Sequence, residues 1–283
     1  MLRWRSRVGS RAAMTPKHIL IKPGEHESVP VLHRRQTPNM THASVTIDGQ
    51  IIAFTSGQTL MEAATAAGIY IPHLCHNPAF RPHGSCKLCT VQVNGRYASA
   101  CTFPAAEGQD VLNDTPALNQ TRRSITQLLF VEGNHFCPGC EISGNCQLQA
   151  VGYHLGMLDN HFPQFFPRRR VDASHPEVML DLDRCILCEL CVRASRDVDG
   201  KHVFGIAGRG MDSRLVVNAE SGRLGDTDLA VTDKAVHVCP VGAILVKRIA
   251  YRVPIGQRRY DGHDISEVSL KQDRGAEGDE HDE

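Results

Sequence analysis

Arg184-Cys185-Ile186-Leu187-Cys188-Glu189-Leu190-Cys191-Val192-Arg193-Ala194-Ser195, with Cys239-Pro240 much farther along, is the stretch on which the reading of this chain turns. Bacterial ferredoxins repeat Cys-x₂-Cys-x₂-Cys-x₃-Cys-Pro, and the fourth Cys of each run serves the other run's cluster. Here the fourth place of the first run is Ser195, and Leu229, Thr232 and Ala235 fill the first three places of the second run. Cysteine is therefore missing from all four ligand positions of one cluster and present at all four of the other. Neither chance nor a zinc site produces that correlated loss. The pattern predicts a bacterial-ferredoxin-like domain over 178–252 with one [4Fe–4S] cluster on Cys185, Cys188, Cys191 and Cys239.

Upstream, Asn134-His135-Phe136-Cys137-Pro138-Gly139-Cys140-Glu141-Ile142-Ser143-Gly144-Asn145-Cys146 holds three thiols in a short loop. Three thiolates need a fourth partner or leave a metal position open. Imidazole replaces thiolate on iron in other proteins, so His135 is the candidate fourth ligand of a second [4Fe–4S] site with Cys137, Cys140 and Cys146. Gly139 and Gly144 are expected to bring backbone N–H groups up to the anionic centre. The segment 117–160 reads as a small helical domain around this loop, with helices over Ala117–Phe130 (apolar at Leu118, Ile125, Leu128 and Leu129) and Gln147–Leu158.

Farther upstream are Cys75, Cys86, Cys89 and Cys101. Plant-type [2Fe–2S] proteins place three Cys in one loop and the fourth farther on, with a shorter first gap than here. The competing reading is a Cys₄ zinc site, but such sites usually join two Cys-x₂-Cys knuckles and only one is present. The surroundings suit the [2Fe–2S] reading. Val45-Thr46-Ile47, the turn Asp48-Gly49 and Ile51–Phe54 form a hairpin pattern. Leu60–Ala67 is a helix ended by Gly68, and Thr90–Val93 is a strand closed by Asn94-Gly95. The fold class is thus α+β, with a β-grasp [2Fe–2S] ferredoxin domain over 41–116.

Four, three and four thiols account for all 11 Cys of the 283 residues. The odd number excludes complete disulfide pairing, and the absence of a secretory apolar segment points to a reduced, cytoplasmic setting. Lys+Arg and Asp+Glu both total 31, so no net field attracts nucleic acid or anionic lipid. No apolar run is long enough to span a membrane. The Arg-rich, acid-poor segment 1–40 reads as a disordered extension, with translation starting at Met40 or a targeting peptide as the two explanations. Residues 161–177, including Arg168-Arg169-Arg170, read as a linker with a solvated charge run. Residues 253–283 read as a tail whose end, from Gly275, is acidic. Gly205-Ile206-Ala207-Gly208-Arg209-Gly210 is not a dinucleotide fingerprint, and no Walker sequence or nucleophile elbow occurs. No catalytic or dinucleotide-binding residue is identified.

Ile71-Pro72-His73-Leu74-Cys75, Gly84-Ser85-Cys86-Lys87-Leu88-Cys89, the His-Cys₃ loop and the ferredoxin-type domain together resemble the N-terminal part of the large iron–sulfur subunit of respiratory complex I. Phe130–Cys140 and Val253-Pro254-Ile255-Gly256-Gln257-Arg258 make the chain more similar to the small diaphorase subunit of NAD-reducing nickel–iron hydrogenases. That wider family places its ligand His four positions before the first Cys of the trio, where this chain has Gly133. The resemblance implies one [2Fe–2S] and two [4Fe–4S] clusters, a flavin/NAD-binding diaphorase subunit, and nickel–iron hydrogenase small and large subunits as partners. It implies a non-catalytic electron-transfer subunit of an NAD-linked oxidoreductase, relaying electrons for H₂ + NAD⁺ ⇌ NADH + H⁺. An equivalent relay in an NAD-linked formate dehydrogenase or a complex I-type NADH dehydrogenase is the nearest alternative. A zinc-binding scaffold is the alternative of another class.

Overall fold

Alternation of Val45 and Ile47 with more exposed neighbours, answered by Ile52 and Phe54, makes one apolar face of a hairpin. In the computed structural model, which describes residues 43–159 and 161–275, this hairpin is β1 (Ala43–Ile47) and β2 (Gln50–Phe54). The expected extension over 1–40, the start at Met40 and the acidic end over 276–283 lie outside the described residues. Asp48 and Gly49 turn the chain with φ of 49° and 82°, the left-handed pair whose twist matches that of the strands. α1 (Leu60–Ala67) starts with a capping box: Glu62 N–H donates to the Thr59 hydroxyl at 3.2 Å, and Thr59 N–H donates to the Glu62 carboxylate at 2.7 Å.

β3 (Thr90–Val93) and β4 (Arg96–Ser99) form a second hairpin through Asn94-Gly95. β5 (Asp110–Leu112) enters parallel to β1 and antiparallel to β3, giving the order β2-β1-β5-β3-β4. α1 packs Leu60, Met61, Ala63 and Ala64 with Val45, Ile47, Val91 and Val111, completing the β-grasp arrangement. β4 and β5 are too short and too polar to stand out in the sequence.

α2 (Pro116–Glu132) is capped by Thr115, whose hydroxyl accepts from Leu118 N–H at 3.2 Å. Its buried face differs from the apolar stripe expected from sequence: Leu128 is 43% exposed, whereas Arg122, Thr126 and Gln127 are buried. The reason lies in what α2 faces. Arg122 donates to the carbonyls of Leu88, Thr90 and Asn113 and to the side-chain oxygens of Asn113 and Asn119, at 2.8–3.1 Å. The carbonyl-rich Cys86–Cys89 loop demands donors there, not methyl groups. α3 (Gln147–His154) begins directly after Cys146, and Leu148 and Val151 pack with Phe130, Leu74 and Leu88.

β6 (Val171–Asp172), β7 (Val178–Asp181), α4 (Leu190–Asp197), β8 (Phe204–Ala207), β9 (Arg214–Val217), α5 (Lys234–His237), β10 (Ile244–Val246) and α6 (Ile265–Gly275) follow. A sheet of order β10-β7-β6 and the β8–β9 hairpin flank α4 and α5. The vacated half of the ferredoxin pattern is filled solidly: Leu229 and Ala235 join Phe204 and Leu215 in the core, and the Ser195 hydroxyl accepts from Val203 N–H at 2.8 Å.

Three expectations need correction. Residues 161–177 are not a free linker, because they supply β6 and the buried Asp172 and His175. Asp172 accepts from Ser174 and Leu224 backbone N–H groups at 2.9 Å, so sparse apolar content is offset by polar anchoring. Arg169 is not merely solvated: its guanidinium reaches the carbonyls of Glu132, Leu182 and Cys185. The segment after 253 is not featureless, since α6 buries Ile265 and Ser269.

Candidate iron–sulfur sites

Each cysteine set sits on a loop that a neighbouring helix or strand fixes. In the first, Cys75, Cys89 and Cys101 are buried and Cys86 half-buried. Cys86 N–H donates to Cys75 Sγ at 3.5 Å, and the Cys89 thiol donates to Cys101 Sγ at 3.3 Å. The sulfurs therefore pair: hydrogen bonding from Cys86 lowers the Cys75 pKa to about 4, while Cys86 itself is raised. Cys101 is likewise lowered by Cys89, which is raised in return. A cation entering this group displaces the shared protons, as thiolate coordination requires.

In the second set, Cys137, Cys140, Cys146 and His135 line one enclosed pocket with Phe130, Arg184 and Gly242. His135 is the informative residue. Its Nε2 is buried without any hydrogen-bond partner, and its ring stands edge-on to Phe130 at 5.5 Å. Burial, with Arg184 and Arg169 adding, lowers its pKa to about 4, leaving a neutral imidazole. A Cβ on Gly133 would come within 2.7 Å of both the Asp183 carbonyl oxygen and His135 Nε2, so backbone as well as this ring holds to glycine the position where the wider family has its His.

Gly139 and Gly144 do not present N–H groups to the pocket as expected. Gly139 N–H donates to Phe136 O at 3.1 Å and Gly144 N–H to Gln149 Oε1 at 2.8 Å. Gly144, at φ 80°, instead makes room for Arg258, whose Nε would clash with an added Cβ. Arg258 donates to Ser143 O at 3.1 Å, and Tyr251 donates to Gly139 O at 2.8 Å. The C-terminal segment thus clasps the second loop.

In the third set, Cys185, Cys188, Cys191 and Cys239 enclose a small pocket with Leu215, Val241 and Ile244. Burial pushes the Cys185 thiol to about 11 and raises Cys188, Cys191 and Cys239. Such thiols ionise only against a cation. Leu187 and Glu189 hold φ of 53° and 60°, as Lys87 does (58°) in the first loop. Left-handed backbone at a non-glycine costs about 1–2 kcal/mol per residue and marks sites where geometry is enforced for function.

Among the described residues, no three His, Cys, Asp or Glu side chains converge tightly enough to share one metal ion. At the second and third sites the donors line a small pocket instead. The orphaned imidazole and the buried thiols are the donor set of a metal centre that would displace the thiol protons on binding.

Comparison with known proteins agrees. Residues 41–116 match a 2Fe-2S iron-sulfur cluster binding domain, 122–161 the NADH-ubiquinone oxidoreductase-G iron-sulfur binding region, and 178–246 a 4Fe-4S single cluster domain. The NAD-reducing hydrogenase HoxS subunit gamma of Cupriavidus necator is 41% identical over 228 residues, 80% of this chain and 97% of that subunit. The chain belongs to this gamma-subunit family. A solved NAD⁺-reducing [NiFe]-hydrogenase in the H₂-reduced state contains a chain 51% identical, with a TM-score of 0.79 over 82% of this chain and 98% of that one. The 78 kDa subunit of mitochondrial NADH-ubiquinone oxidoreductase of Candida albicans is 30% identical over 75% of this chain, which spans only 30% of that subunit. As a member of the gamma-subunit family, the chain is an iron–sulfur protein with one [2Fe–2S] domain and [4Fe–4S] domains. Among the described residues, no helix is long and apolar enough to cross a membrane.

Sequence reading missed the basic residues that serve these loops: Arg122 at Leu88, Arg184 at Cys140, Arg193 at Cys75 and Arg258 at Ser143. Arg184 and Arg193 bracket the third cysteine trio, and that adjacency was the one available signal.

Proposed function

We propose that this chain is the electron-relay subunit of a cytoplasmic NAD-reducing hydrogenase, set between a flavin/NAD-binding diaphorase subunit and nickel–iron hydrogenase small and large subunits. In this reading Cys75, Cys86, Cys89 and Cys101 hold a [2Fe–2S] cluster. His135, Cys137, Cys140 and Cys146 hold one [4Fe–4S] cluster, and Cys185, Cys188, Cys191 and Cys239 the other. Bound there, the clusters supply one-electron redox chemistry.

The observation that carries the reading is the succession of the three donor sets. The three sets adjoin one another: Cys75 and Cys86 share a core with Cys188 and Cys191, and Cys86 shares another with Cys137, Cys146, Cys185 and Cys239. The chain's own residues keep water out, as Leu74, Leu88, Leu190 and Ala243 are all at most 2% exposed. A low-dielectric surround lets fixed charges and hydrogen bonds set each potential.

The test is compositional and kinetic. The anaerobically purified complex should carry about ten irons in this subunit, from one [2Fe–2S] and two [4Fe–4S] clusters, with negligible zinc. The isolated chain should accept electrons from NADH very slowly, because a hydride must first be split by a flavin. Adding the flavin subunit should restore fast reduction. Stoichiometric zinc without acid-labile sulfide, or rapid NADH oxidation by the chain alone, overturns the reading. A co-purifying formate-oxidising or quinone-linked subunit would keep the relay and replace the hydrogenase.

A further inference from the structure

The third cysteine trio is flanked by two arginines, and each leaves its own site to grip another. Arg193, two residues after Cys191 on α4, is 4% exposed. Its Nη2 donates to the carbonyl of Cys75, its Nη1 to Arg81 O at 3.0 Å, and its guanidinium lies 5.7 Å from the Phe80 ring centroid. These hydrogen-bond partners are backbone carbonyls, so the charge has no counter-ion among them. Arg184, immediately before Cys185, places Nη1 3.7 Å from Cys140 Sγ and 3.5 Å from Gly242 O. It is also paired with Glu141 and, through Nε at 2.8 Å, with Asp181.

We propose that Arg193 and Arg184 are positioning residues that bind the third loop to the first and second cysteine sites respectively, and that each holds up the reduction potential of the site it reaches. The inference rests on the relay reading above. Reduction adds one electron to a cluster, taken from the donor, and breaks no bond, so the cluster's negative charge grows by one. A buried guanidinium beside it favours that reduced form, and low local dielectric keeps the effect from being screened. Arg184 has a second role: without it, Glu141 and Asp181 become uncompensated anions near Cys140, and both effects act in the same direction.

The experiment is a dithionite titration of the purified complex, with redox mediators, followed by EPR of each cluster. Arg193→Gln should make the first site's cluster at least tenfold harder to reduce, a lowering of about 59 mV for a one-electron couple, and leave the second unchanged. Arg184→Gln should do the reverse, lowering the second and sparing the first. Arg193→Lys and Arg184→Lys keep the charge and should restore the reduction equilibrium to within threefold. A strut without electrostatic function would not sort Gln from Lys, nor one cluster from the other. If a Gln variant fails to assemble its cluster, the Lys variant decides. A Lys variant that lacks the cluster, or is shifted tenfold, overturns the proposal, as do Gln variants that shift neither cluster or both alike. Wild-type complex without EPR-detectable clusters would instead overturn the relay reading, so the two failures are told apart.

Discussion

Arg122→Ala tests how firmly the first cysteine loop depends on the neighbouring helix. Arg122 is 2% exposed and donates to the carbonyls of Leu88, Thr90 and Asn113. Leu88 lies between Cys86 and Cys89, so the guanidinium anchors the ligand loop from behind. Truncation leaves those carbonyls buried without a donor. Each such loss costs about 1–3 kcal/mol, but water entering the vacated space recovers part of it. The net destabilisation should be about 3–5 kcal/mol, the lower part of the range for three such losses. That is a large fraction of the roughly 5–15 kcal/mol of a typical domain. Urea unfolding of the anaerobic protein, followed by visible absorption and circular dichroism, should show the first cluster released well before the other two. Arg122→Lys, with one donor group instead of a fork, should recover only part of the loss. A change below about 1 kcal/mol, measured against the loss expected for removing buried donors, with all three clusters released together, would falsify the anchoring argument.

His135→Ala should abolish or alter the EPR signal of the second cluster alone, because Nε2 has no other partner; an unchanged spectrum rejects His135 as a ligand. Gly144→Ala should displace Arg258 from the second loop and cost about 1–2 kcal/mol for its left-handed backbone; faster iron loss from that cluster to a chelator is the readout, and an unaltered rate refutes the clasp. In the cluster-free chain, burial lowers His135 to about 4 and His76 to about 3. Below the ordinary histidine value near 6.5, the unfolded chain binds protons that these buried rings refuse, so stability should fall from about pH 6.5 down through pH 4. Urea midpoints across that range check the sign, and His135→Asn should flatten the slope.

What could be read from the residues was whatever local spacing encodes. The Cys-x₂-Cys runs, the Asp48-Gly49 and Asn94-Gly95 turns and the Gly68 stop all act within a few positions, and α1 has the expected bounds, Leu60–Ala67. The arginine contacts were illegible because their partners are far away in sequence: 34 residues separate Arg122 from Leu88, and 118 separate Arg193 from Cys75. No periodicity marks an arginine that will face a loop of carbonyls. For the same reason the apolar spacing of α2 does not show that its inward face is partly polar. Residues 161–177 lacked the apolar alternation of a strand, yet Asp172 secures β6 through hydrogen bonds to Ser174 and Leu224. His135 could be found from its neighbours in sequence, whereas the need for glycine at 133 emerges only from the positions of the Asp183 carbonyl and the His135 ring.

The half of the third domain that gave up its cysteines carries a further consequence. Leu229, Ala235, Phe204 and Leu215 occupy it as close-packed core, with Ser195 tethered to Val203. A close-packed interior has few dipoles free to turn and no room for water to rearrange. If the neighbouring Cys185–Cys191 loop holds the cluster proposed above, an electron arriving there would find little on that side that has to move in response. The reorganisation energy of a transfer through that cluster would therefore be small on this side. On that side the proposed third cluster would face a stiff, apolar wall.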